Sequence, residues 1–227
     1  MEFHLPKPFH NWREFAKEVG IIVIGIAIAL SGELAIETIN HHREIQKVRE
    51  ALNDEMAWNL AVAKQVSDHS GCSLARLDEI ERWEKSWEDG RPIRLLRPIV
   101  VPGSYIYRTS VWRVTAGDAV SRMPFDERAV YASFYDGIEG IQGQRLTLID
   151  AWDDLALHQH ARRLSDEQLL NITGDIQAIR KATGIMISDY EILRDFAAKE
   201  QVSPGKLLDV DWIAKSLVDQ CQPLLAD

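Results

Sequence analysis

Cysteine is scarce in this chain: two occur in 227 residues, Cys72 and Cys221, with no CxxC pair and no Cys/His grouping at zinc spacing. That excludes the usual structural metal centres, and no metal ligand is assigned. A basic face is missing as well. The formal net charge is -9, whereas phosphate binding needs a cationic surface that releases counterions, so nucleic acid is excluded as a partner. GxSxG, HExxH, Walker A and GxGxxG patterns are absent, and Ser, His and Asp occur without diagnostic spacing. No catalytic residue and no cofactor is predicted, and the chain reads as non-enzymatic. Repeats, low-complexity tracts and an internal linker are also lacking, which for this length leaves one sizeable core with an appendage.

The appendage is at the N-terminus. Residues 1–14 read as a cytoplasmic or interfacial lead-in, with early prolines followed by Trp12 and the basic residue Arg13. From Val19 to Gly32 the sequence VGIIVIGIAIALSG carries no charge and is apolar on every helical face, so a one-sided soluble helix does not fit it. The uninterrupted run spans only about 21 Å of helix, against about 30 Å of bilayer core. Phe15 and Ala16 extend it on one side and Leu34, Ala35, Ile36 and Ile39 on the other, with Lys17, Glu33 and Glu37 able to snorkel. A transmembrane anchor over 15–39 follows, and residues 40–227 form a helical extracytoplasmic domain. A buried core helix and a signal-peptide core are the alternatives, the latter disfavoured because the helix runs on without a breaker. Lys7, Arg13 and Lys17 before the span are matched by Arg43, Lys47 and Arg49 after it. The nearer flanking charges favour a cytoplasmic N-terminus.

EVGIIVIGIAIALSGELAIE, followed by HHREI, resembles the N-terminal signature of an uncharacterised bacterial family of single-pass membrane proteins. TSVWRVTAGDAVSRMPFDERAVYASFY is similar to the middle of some proteobacterial members. Those relatives more often carry Gln, Asn and Trp where this chain has Glu33 to Glu37. The family has no assigned activity, so the resemblance implies location: a bacterial inner membrane, with the main domain periplasmic.

The domain reads as all-α, the transmembrane helix continuing into a long helix and then a multi-helix bundle with a proline-rich crossover. Ile36, Ile39, Ile45, Val48, Leu52, Met56, Leu60, Ala63 and Val66 recur at three- and four-residue steps. His69, Ser70 and Gly71 then predict a break, and Cys72 opens a second helix closed by Gly90, making a hairpin. Residues 91–108 hold three prolines and read as an extended crossover with room for a short strand. Thr109 or Ser110 caps a helix through Val120. Pro124 starts another that reaches about His158, with Gly137, Gly140 and Gly143 weakening it. Ser165 and Gln168 form a capping box for a helix reaching about Lys199, whose stripe includes Ile172, Ile176, Ile179, Ile192 and Leu193. A last helix runs from about Val210 to Gln220.

Candidate sites are few. In a reducing cytosol Cys72 and Cys221 are two unrelated buried thiols; in an oxidising compartment they pair, closing a loop of about 150 residues worth roughly 4 to 5 kcal/mol. Placement beyond a membrane span favours the disulfide. Gly25, Ala29 and Gly32 form a small-residue stripe on the anchor, which lets two helices pack closely in lipid and points to a homo-oligomer. Glu33, Glu37 and His41, with His42, read as a solvated face just outside the membrane rather than a metal site. His158 and His160 point apart, and the neighbours Asp126 with Glu127 and Asp153 with Asp154 read as helix-surface charges. Trp58, Trp83, Trp87, Trp112, Trp152 and Trp212 read as core. Membrane lipid and an unknown protein partner complete the expected interactions.

Overall fold

The computed structural model describes residues 12–226 and is all-α. Its helices are α1 (Trp12–Glu88), α2 (Ser110–Thr115), α3 (Asp118–Ser121), α4 (Phe125–His158), α5 (Asp166–Lys199) and α6 (Asp211–Gln220). Among the described residues the only strand-like pairing is one antiparallel bridge between Leu95 and Leu225. Contacts divide the chain into two units, Met1–Lys47 and Val48–Asp227. Most of the lead-in expected over 1–14 lies outside the described residues; Trp12 and Arg13 already belong to α1.

In the first unit, the described residues form the opening part of α1 alone. The isoleucines that encircle it are all open, Ile21 by 72%, Ile24 by 61% and Ile28 by 68%. Among the described residues its most apolar stretch has no buried residue, and the helix is long and apolar enough to cross a membrane.

The second unit is a bundle. On α1, Leu52, Met56, Leu60, Val62 and Ala63 are buried, and further along so are Leu77, Ile80 and Trp83. The helix runs unbroken between these two sets, so the expected hairpin at His69 to Gly71 does not form. The reason is local. The Ser70 hydroxyl donates back to the Ser67 carbonyl at 2.7 Å and the His69 ring Nδ1 bonds the Gln65 carbonyl at 2.9 Å, so neither side chain caps a new helix. A single glycine costs about 1 kcal/mol in a helix and does not end it. The true stop is Gly90, at φ +68°, where Gly90 N–H bonds Trp87 O and Arg91 N–H bonds Ser86 O, a Schellman turn.

The helices α4 and α5 form an antiparallel pair. Ser165 and Gln168 exchange both bonds of a capping box at the start of α5. Gly137 lies so close to α5 that a β-carbon there would stand 3.1 Å from Leu193 Cδ2, a close approach that explains a glycine within this unbroken helix. Trp152, Leu155, Ile172, Ile176 and Ile179 join Leu77, Ile80 and Trp83 in one apolar core, sealed by Leu224 and Leu225 from the tail. Two residues depart from the sequence reading: Ile192 and Trp212 are 53% and 63% exposed.

The crossover is extended, and side chains rather than a sheet satisfy its backbone. Asn59 donates to the Arg108 carbonyl at 2.6 Å and accepts from the Arg108 N–H at 2.7 Å, while Trp58 Nε1 donates to Ile106 O. Gln159 bonds both backbone groups of Ile99. Gly103 N–H donates to Ser216 Oγ, and a β-carbon at Gly103 would stand 2.9 Å from Ser216 Cβ. Instead of the single helix expected from Thr109 to Val120, α2 and α3 flank Gly117.

A disulfide joins Cys72 to Cys221, with α-carbons 4.8 Å apart across a sequence separation of 149. Beside it the Glu79 carboxylate accepts from the N–H groups of Leu224 and Leu225, holding the tail onto α1. Reduction of the purified protein is expected to lower its unfolding free energy by roughly 4 to 5 kcal/mol at most, because the unfolded chain regains the loop's entropy. Urea titrations with and without reductant measure this; coincident curves would contradict a stabilising closure.

Candidate functional site

The anchor places Gly25, Ala29 and Gly32 on one stripe, all exposed, and a β-carbon added at Gly25 or Gly32 would meet nothing within 4 Å. Glu37 and His41 follow, their side chains 3.9 Å apart and both largely solvated. Among the described residues no three His, Cys, Asp or Glu side chains converge as a metal requires.

The bundle holds two buried carboxylates that the sequence reading did not single out. Glu55, 5% exposed, accepts from Ser110 Oγ, from the N–H groups of Val111 and Trp112, and from Tyr135 Oη at 2.9 Å. It therefore caps α2 from another helix, which is why neither Thr109 nor Ser110 caps α2 with its own side chain. Burial, with Glu55 alongside, pushes the Tyr135 phenol well above its ordinary range. Glu84, also buried, accepts from the Thr173 hydroxyl. Glu127, expected as a surface charge, is instead gripped by Arg49 through two bonds of 2.5 and 2.8 Å. Both Glu55 and Asn59 sit within the apolar stripe of α1. A polar side chain on such a stripe is the signal that could have found them.

One cavity in the bundle combines charge with burial. Its volume is about 140 Å³, and Arg76, Arg97, Trp152, Asp219 and Gln220 are among its walls. Arg76 is 4% exposed and sends Nη2 to the carbonyls of Asp219, Gln220 and Gln222, closing the C-terminal end of α6. Arg97 is carried by the crossover between Leu96, whose N–H bonds Leu224 O, and Ile99, held by Gln159. Nε of Arg76, Nε of Arg97 and Oε1 of Gln220 are buried without a partner. Burial lowers the Arg76 pKa, the Arg97 charge adds to the lowering, and Glu79 and Asp219 oppose it. A second cavity, about 60 Å³, is lined by Tyr105, Tyr107, Met186 and Leu217 and is too small for an organic ligand.

The chain matches no protein-family model, no curated protein and no solved structure. Chemistry must therefore be read from these side chains alone. The sequence reading brought together only Cys72 and Cys221, whereas Arg76 lies one turn beyond Cys72 and Gln220 just before Cys221.

Several carboxyls sit above their ordinary range, with burial the leading cause: Glu84, Asp175, Asp189 and Glu200. For Glu84 the nearby Glu88 and Glu81 add to the rise, while Thr173 and Lys85 oppose it. A raised folded pKa gives stability that is complete below the unfolded value and is lost as pH climbs through the folded one. The domain is accordingly expected to lose stability as pH climbs above the ordinary carboxyl range and these groups ionise in place. Glu84→Gln should flatten part of that slope and leave the variant no less stable than the parent at the upper end. Thermal unfolding across the range decides it, and identical slopes would contradict the role given to Glu84.

Proposed function

We propose that the chain is a non-enzymatic, membrane-anchored helical subunit with a structural or interaction role in a bacterial inner membrane. Its N-terminus lies in the cytoplasm and its domain, residues 40–227, in the periplasm. The observation that carries this reading is the charge-free stretch of α1 from Val19 to Gly32, whose large apolar side chains are exposed. An apolar surface of that extent is stable in hydrocarbon and not in water. The Cys72–Cys221 bond supports an oxidising compartment for the domain, since disulfides persist there and are rare in the cytosol. The resemblance of the anchor sequence to bacterial single-pass membrane proteins agrees with that placement.

A scaffold is favoured over a sensor of organic solutes because the cavity that combines charge with burial, about 140 Å³, is below the usual organic-ligand size of about 300 Å³. A second reading, a periplasmic ligand-sensing module reporting through a partner membrane protein, draws support from one observation: the cavity between Arg76 and Arg97.

Self-association through Gly25, Ala29 and Gly32 is part of the proposal. In lipid, burying isoleucine against isoleucine gains nothing over lipid tails, so close backbone approach along small residues decides packing. Gly25→Ile and Ala29→Ile are expected to reduce crosslinked dimer in native membranes several-fold, and Ile26→Leu to leave it unchanged. A monomeric parent protein, or equal association of all three variants, would remove the stripe as an interface.

A further inference from the structure

We propose that the cavity between Arg76 and Arg97 is a binding site for a small oxyanion, whatever role the membrane-anchored domain plays. Two guanidiniums line one cavity of about 140 Å³, and among the described residues no carboxylate lies within 4 Å of either. Arg76 spends its hydrogen bonds on three backbone carbonyls, and Glu79, the acid on the next turn, is committed to the N–H groups of Leu224 and Leu225. Asp219 is the one acid on the wall. The wall keeps a net positive charge, which an anionic occupant offsets.

Position supports the same conclusion. Arg76 is held without a ligand by the carbonyls at the end of α6, and the backbone that carries Arg97 is fixed by bonds at Leu96 and Ile99. A planar guanidinium fork placed in advance loses little freedom on binding an oxyanion, and low polarity strengthens the pairing. The floor is Trp152, 1% exposed. Size sets the class of occupant, because a cavity near 150 Å³ holds a molecule of about benzene size. That admits phosphate, sulfate or a short carboxylate and excludes a nucleotide. A ligand of five or six heavy atoms binds no tighter than about micromolar.

The test is isothermal titration of the full-length protein in detergent, in chloride buffer of constant ionic strength, with inorganic phosphate, sulfate and acetate in turn. Saturable one-to-one binding of phosphate or sulfate assigns a tetrahedral anion, and binding of acetate alone assigns a short carboxylate; either supports the site. Arg97→Met should weaken the bound anion at least tenfold, Arg97→Lys less, and Arg94→Met, an exposed neighbour outside the cavity, not at all. Unfolding midpoints in chloride check that each variant folds. Arg76 is left intact because its loss would free the end of α6. No saturable binding of any of the three anions up to about 10 mM, or equal weakening by Arg94→Met and Arg97→Met, would overturn the proposal.

Discussion

An extended segment inside a helical bundle has backbone polar groups and no sheet to bond them, and the rest of this domain depends on how that is resolved. Each unpaired buried group costs about 1 to 3 kcal/mol, so a crossover running from Arg91 to Thr109 cannot be left unsatisfied. The solution is a set of polar side chains planted on the apolar faces of helices. Asn59 on α1 grips Arg108, Gln159 beyond α4 grips Ile99, Ser216 on α6 receives Gly103, and Glu55 caps the helix that follows. These bonds fix where the crossover lies, and with it Arg97. The tail is resolved the same way, with Arg76 accepting the burden of the α6 carbonyls and Glu79 that of the last amides.

Local chemistry made much of the fold legible. Pro124, the Ser165 and Gln168 pair, Gly90 and Val210 mark helix ends through effects confined to one turn, and the helices begin or end there. Ser70 and Gly71 carried the same local signal and misled, because tertiary packing on both sides of them, at Leu60 to Ala63 and Leu77 to Trp83, outweighs the helix penalty of one glycine. Trp212 was unreadable for a related reason: a short terminal helix buries Ile213 inward and leaves its neighbour out. Arg76 and Arg97 are ordinary surface arginines in the sequence. They become a site only when the tail folds back, and nothing within a window of either residue encodes that.

The first part of α1 and the bundle present different surfaces. From Val19 to Gly32 α1 is apolar around its full circumference, and the Ser31 hydroxyl returns to its own helix at the Ala27 carbonyl. The bundle has a one-sided stripe on every long helix, a half-buried ion pair between Arg49 and Glu127 and a covalent closure. A cytosolic location would put that closure under constant reduction, whereas a periplasmic one preserves it.

The claim that the bundle folds outside the cytoplasm is therefore read most directly from the redox state of Cys72 and Cys221 in living cells. Growing bacteria are quenched in acid, denatured, and alkylated with a mass-tagged maleimide before and after reduction. The account predicts no tag before reduction and two afterwards. Two tags without reductant would place both thiols free in a reducing compartment and contradict it.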